Sequence, residues 1–243
     1  MLIYDIHSHM GTTSSGESTS PARMLAELGE HGISKVGISS LTGIDSREQN
    51  DLVAAAMRKF PDQILGYAFI NPKDPGAVAE TERCLRDLKM NGVKFHSWKH
   101  GYYPDNRPEL NEIFELIESY GVHVQMHVGT APVSTPYTWA LWPKRFPQVD
   151  FVFTHIGYYE FGRSTVEAVR DLDNVWVETS GQFDVPALTA ALSTLGANRV
   201  CFGTDWPYKP VGLEVAKFAE FGLTDDQAEA VFHRNAHYLW RLA

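Results

Sequence analysis

The segment Asp5-Ile6-His7-Ser8-His9 places two imidazoles one residue apart at the end of the first apolar run of the chain. Side chains on an extended strand alternate between faces, so His7 and His9 point to the same side and can grip one metal ion from a single strand. Further ligating or ionisable side chains stand at the ends of later apolar runs: His96, His127, His155 and Asp205. Neutral imidazoles with one carboxylate suit Zn²⁺ and similar divalent ions, Mn²⁺ among them. Three histidines and one aspartate leave such an ion with a net charge of about +1, which brings the pKa of a bound water toward about 7. A carboxylate or imidazole beside that water can take its proton.

Elements must exist to hold these groups together. Strand-like and helix-like runs alternate throughout the 243 residues. The expected strands are 2–7, 33–39, 64–70, 93–96, 122–127, 151–155, 175–179 and 199–203. Helices are expected between and after them. The first opens at Ser20-Pro21, an N-cap followed by a first-turn proline. The others lie near 49–60, 74–90, 108–120, 139–146, 165–172, 186–195 and 213–242. Eight strand-then-helix units predict parallel pairing and a single (β/α)8 barrel over residues 1–243, with no linker to divide it. A doubly wound open sheet is the competing architecture. It usually carries a glycine-rich phosphate loop after its first strand, and here that strand ends in His-Ser-His. Barrel active sites form at the C-terminal strand ends, where His7, His9, His96, His127, His155 and Asp205 all fall. His123 lies four residues deeper than His127 and reads as packing, as do His233 and His237 on the last helix.

Composition narrows the partners. The chain is 44% hydrophobic and 21% charged, with a formal net charge of -9. An acidic chain without a basic cluster is a poor ligand for nucleic acid or an anionic membrane. Cys84 and Cys201 form no CxxC pair and suggest a reducing compartment. No basic-then-apolar leader and no run of about 18 apolar residues is present, so the expectation is a soluble cytoplasmic protein acting on a small molecule. A homo-oligomer is open.

Together, Asp5-Ile6-His7-Ser8-His9, His127, Thr154-His155-Ile156-Gly157 and Gly203-Thr204-Asp205-Trp206-Pro207 resemble the amidohydrolase superfamily. The nearer likeness is to its amidohydrolase-related group, which includes aminocarboxymuconate semialdehyde decarboxylase and several lactonases. Gly92-Val93-Lys94-Phe95-His96 and Arg234-Asn235-Ala236 agree with it. The resemblance implies that His7, His9, His127 and Asp205 are metal ligands. It implies that Asp205 also contacts the catalytic water. His155 is implied to face the reactive water or substrate, or to bind a second ion in two-metal members. Gly157 is followed by Tyr158-Tyr159 where many relatives have two glycines, which alters the loop over the site. Lys94 shares a face with His96, and some branches bridge two ions with a carboxylated lysine there. One ion, most simply Zn²⁺, is the expectation.

The rim loops carry Trp98, Tyr102, Tyr103, Tyr158, Tyr159 and Trp206, with Lys99 and Arg163 as cations. His96, Trp98, Arg163 and Trp206 are the substrate-binding candidates, and Asp205 and His155 the catalytic ones. The leading expectation is a hydrolase that attacks an amide, ester or lactone carbonyl with activated water. The alternative is non-oxidative decarboxylation of a small aromatic or unsaturated acid, favoured if a cationic pocket exists. A third possibility is a barrel that binds metal or ligand without turnover.

Overall fold

The expected strand-then-helix order gives, in a computed structural model that describes residues 1–13, 15–40 and 46–243, a closed parallel barrel. Among the described residues its strands are β1 (Ile3–Thr12), β2 (Ser18–Thr19), β3 (Ile33–Ser40), β4 (Ile64–Phe69), β5 (Gly92–Phe95), β6 (His123–Met126), β7 (Phe151–Phe153), β8 (Val175–Glu178) and β9 (Val200–Cys201). All but β2 pair in parallel, in the sheet order β2-β1-β3-β4-β5-β6-β7-β8-β9. The two-residue β2 adds antiparallel to the far end of β1 and is invisible to periodicity. Closure comes from the segment after β9. The Ile6 N–H donates to Phe202 O (3.1 Å), Asp205 N–H to His7 O (2.7 Å) and His9 N–H to Trp206 O (2.8 Å).

Side chains divide cleanly between inside and outside. Outward residues such as Phe151 and Phe153 meet the helices, where Phe114 packs 5.5 Å from Phe151 and 5.7 Å from Phe95 by ring centres. Each such fully buried apolar side chain stabilises by about 1.5–3 kcal/mol. Inward residues fill the lower barrel: Tyr4, Ile6, Leu65, Tyr67, Val152 and Cys201 pack with Leu239 and Trp240 of the closing helix Asn235–Leu239 and the residue after it. Gly37 is required here, because a Cβ would lie 2.1 Å from Tyr67 Oη.

β1 carries an irregularity that sequence alternation alone does not show. Asp5 pairs with Val36 and Ser8 with Ile38, so three steps on β1 oppose two on β3. This bulge switches the inward set from Tyr4 and Ile6 to His7 and His9. Ile6 O, displaced from the ladder, accepts from Tyr67 Oη (3.1 Å) and Gln125 Nε2 (2.7 Å) inside the barrel. The Asp5 carboxylate accepts from His7 N–H (2.9 Å), Ser8 Oγ (2.7 Å) and Thr204 N–H (3.1 Å). Buried backbone groups must find partners, and these side chains supply them.

Element ends differ from expectation in one place that matters. The helix expected from 165 begins at Tyr158 and runs to Val169. Positive φ at His155 (67°), Ile156 (44°), Gly157 (72°) and Tyr158 (49°) reverses the chain at once, leaving no loop to fill. Among the described residues no helix is long and apolar enough to cross a membrane.

His123, at the start of β6, packs in the barrel floor as expected and donates Nδ1–H to Leu239 O (3.0 Å). Burial pushes its imidazole down to about 4 from 6.5. Between those values the unfolded chain binds the extra proton, so stability should fall as pH drops from 6.5 toward 4. This residue accounts for a loss on the order of 3 kcal/mol. Urea midpoints measured across that range should fall less steeply for His123→Phe than for the unsubstituted protein; parallel curves contradict the assignment.

Candidate active site

At the C-terminal end of the barrel a cleft of about 640 Å³ opens, lined among others by His9, His96, His127, His155 and Asp205. His7 lies directly beneath, with 1% exposure. Its Nδ1–H donates to Glu178 Oε2 (2.7 Å), which leaves the Nε2 lone pair facing the cleft. Three acceptor atoms converge there. His7 Nε2 lies 3.1 Å from His9 Nε2, and Asp205 Oδ1 lies 3.2 Å from His9 Nε2 and 3.9 Å from His7 Nε2. Lys94 reaches in from β5, its Nζ 3.0 Å from His7 Nε2. His9 Nδ1 is held by Ser39 Oγ at 3.0 Å.

The surroundings keep the imidazoles neutral. Burial, then the positive charge of Lys94 and the neighbouring imidazoles, holds His7 well below its ordinary value. Burial does the same to His9, His96, His127 and His155. Burial brings Lys94 down to about 8, against the attraction of Glu178 and Asp205. Burial pushes Glu178 up to about 8, against hydrogen bonds from Ser180. Neutral imidazoles are the form that binds metal.

Each expected residue has a definite place. His155 donates Nδ1–H to Ser180 O (3.0 Å), and Tyr158 stacks on its ring at 4.0 Å and 12°. His127 stacks on His96 at 3.8 Å, but its Nε2 engages Thr130 Oγ1 at 2.9 Å. It therefore stands beside the converging set, not within it. Trp98 lines the cleft mouth and is 55% exposed. Arg163 does not belong to the site: it is exposed on the helix Tyr158–Val169 and does not line the cleft. The early start of that helix turns it away. Trp206 is also corrected. Asp205 faces the cleft, and its neighbour turns to the opposite side, where Trp206 is buried and donates Nε1–H to Glu27 Oε2 (2.7 Å).

Glu178 is a site residue that sequence reading missed. A carboxylate closing the apolar strand Val175-Trp176-Val177 is the signal that could have found it. Its carboxylate accepts from His7, Ser180 Oγ (3.0 Å) and the His155 N–H (3.3 Å). Lys209, which also lines the cleft, was missed too.

The geometry and the chain's relatives agree on a class. Residues 19–242 match the Amidohydrolase family model, so the chain belongs to the amidohydrolase family of enzymes. The match begins beyond His7 and His9, whose placement rests on the structure. The gamma-resorcylate decarboxylase of Polaromonas sp. (strain JS666) is 21% identical, over 90% of this chain and 83% of that protein. The structure of 5-carboxyvanillate decarboxylase from Sphingomonas paucimobilis has the same fold, with a TM-score of 0.81, 20% identity and 99% of each chain covered. A dihydroxybenzoic acid decarboxylase from Polaromonas sp. JS666, with bound manganese and the inhibitor 2-nitroresorcinol, gives a TM-score of 0.81 at 18% identity, over 99% of this chain and 97% of that one. These relatives correct the leading expectation of carbonyl hydrolysis, because they are carbon–carbon lyases.

Gly203 tests the packing behind the site. A Cβ there would lie 2.5 Å from Glu178 Oε1. Gly203→Ala should destabilise the protein by about 1–3 kcal/mol, read as a lowered urea midpoint. An unchanged midpoint would show that Glu178 is not held where described.

Proposed function

We propose that the protein is a divalent-metal-dependent, non-oxidative decarboxylase of a small aromatic or unsaturated carboxylic acid. One observation carries this reading beside the relatives. In a chain of net charge -9, the described residues lining the cleft include Lys94, Lys99 and Lys209 against one carboxylate, that of Asp205. Such a cleft favours an acid, and a neutral ester or amide would leave the ammonium groups without a partner.

The donor set fits a metal ion. His7 Nε2, His9 Nε2 and Asp205 Oδ1 crowd together as acceptors. One divalent ion would satisfy all three, with His127 as the candidate for a fourth ligand. Manganese in the Polaromonas neighbour supports Mn²⁺ alongside Zn²⁺. When bound, the ion supplies positive charge that holds the substrate oxygens and stabilises the negative charge that builds on them.

The chain's own groups do the rest. Decarboxylation breaks the bond between carbon and carboxylate, leaves the electron pair on carbon, and ends when that carbon takes a proton as carbon dioxide departs. Asp205 is placed to hold the proton, with Oδ2 3.5 Å from Tyr158 Oη. His155 offers Nε2 on the adjoining wall, its Nδ1 being engaged by Ser180. Phe69, Trp98 and Tyr158 give the cleft flat apolar faces for a planar acid.

Carbon dioxide release from 2,6-dihydroxybenzoate and other hydroxybenzoates is the direct test. His7→Ala and Asp205→Ala should abolish it while both variants remain folded, read as an unchanged far-ultraviolet circular dichroism spectrum. Chelation should stop it, and Mn²⁺ or Zn²⁺ should restore it; full turnover by chelated protein sinks the reading. Glu178→Gln should weaken metal affinity by about 10–100-fold, since it removes the carboxylate that orients His7.

A further inference from the structure

The turn 179–182 after β8 carries the group that fixes His155. The His155 Nδ1–H donates to Ser180 O (3.0 Å), which leaves the Nε2 lone pair for the cleft. On the other side of the same peptide, the Gly181 N–H donates to Glu214 Oε1 (3.0 Å). The C=O and N–H of a trans peptide point in opposite directions within one plane, so holding the N–H aims the carbonyl. Gly181 is left-handed (φ 67°), and a Cβ there would lie 2.8 Å from Tyr158 Cε1, in the ring that stacks on His155. Glycine takes that conformation at no steric cost.

Glu214 stands on the helix Val211–Ala216, is fully buried and does not line the cleft. Lys217, just after that helix, donates from Nζ to Glu214 Oε2 (2.5 Å) and to Thr179 O (2.6 Å). The two side chains therefore grip the peptides on both sides of Ser180. A buried ion pair contributes little net stability compared with apolar side chains of the same size. What this pair supplies is direction. Glu214, the Gly181 N–H, Ser180 O and the His155 Nδ1–H form one series of hydrogen bonds in the dry interior. Hydrogen bonds in series polarise one another. A carboxylate at one end makes Ser180 O a stronger acceptor, and so makes His155 Nε2 a stronger base at the other.

We propose that Glu214 is a positioning residue for His155, acting through the Ser180–Gly181 peptide, with Lys217 holding its carboxylate in place. It keeps His155 in the Nδ1–H form with Nε2 turned to the substrate. The use of that nitrogen for proton transfer rests on the decarboxylase reading.

Two double variants separate this role from packing. Glu214→Gln/Lys217→Met keeps an acceptor for the Gly181 N–H, and Glu214→Leu/Lys217→Met removes it; both remove the paired charges together. In Zn²⁺-loaded protein labelled with ¹⁵N-histidine, side-chain nitrogen spectra report the tautomer of each imidazole, with His155 assigned by the signal missing from His155→Gln. His155 should read as the Nδ1–H form in the unsubstituted protein and the first variant, and as a mixture of both forms in the second. His123, whose Nδ1–H donates to Leu239 O on the barrel floor, should stay unchanged in all three. In the second variant kcat for carbon dioxide release from 2,6-dihydroxybenzoate should fall about 10- to 100-fold with KM within about twofold, while the first variant keeps most of its kcat. The proposal is overturned by an Nε2–H form of His155 in the unsubstituted protein, an unchanged tautomer in the second variant, or an equal shift in both variants. A shift of His123 along with His155, or an unchanged kcat beside a shifted tautomer, also overturns it. Absence of release by the unsubstituted protein removes the decarboxylase reading alone, because the nitrogen spectra still decide the role of Glu214.

Discussion

The hydrogen bond from His7 Nδ1 to Glu178 Oε2, 2.7 Å long and wholly buried, is the interaction on which the site depends. It fixes which ring nitrogen of His7 carries the proton, and so which one presents a lone pair to the cleft. It also supplies an internal partner for a carboxylate that burial shifts toward its neutral form. The same carboxylate accepts from Ser180 Oγ and from the His155 N–H, so one side chain from β8 fixes the His7 ring on β1 and the backbone at His155, just beyond β7. Gly203 has no side chain because that carboxylate occupies the space.

Around this contact the protein gathers charges that would be costly apart. Lys94, Glu178 and Asp205 are buried or nearly so, with 1%, 0% and 4% exposure. Isolated, each would be strongly disfavoured in its charged form. Together they offset one another at the barrel mouth. Local backbone strain follows the same logic. Asp205 (φ 55°) and the run from His155 to Tyr158 hold left-handed conformations at the site. A β-branched residue such as Ile156 adopts one only where its surroundings compel it.

Much of this was legible in the sequence, for reasons that can be named. Strand ends in a parallel barrel share one rim, so His9, His96, His127, His155 and Asp205 could be gathered from strand positions alone, with His7 just beneath. What failed was direction. Trp206 was placed by its adjacency to Asp205, yet the left-handed backbone at Asp205 (φ 55°) sends the next side chain away from the cleft, onto Glu27. Arg163 was placed on a loop that does not exist, because four left-handed residues do the work of a turn. Glu178 was lost because its partner, His7, lies 171 residues away in the chain. For the reaction class the sequence put hydrolysis first and decarboxylation second, because the same imidazoles and carboxylate serve both; the relatives reverse that order.

The bulge in β1 has a consequence for how such chains are compared. Before it, even-numbered residues face the axis; after it, odd-numbered ones do. Residue counting along β1 therefore has two phases, and an alignment that places its start correctly but omits the extra residue assigns both histidines to the outer wall. Transplanting His-Ser-His onto a regular strand would likewise carry the imidazoles without the carbonyl of Ile6 that Tyr67 and Gln125 anchor from within. The portable unit is longer than the motif: it starts at Asp5 and includes the phase change.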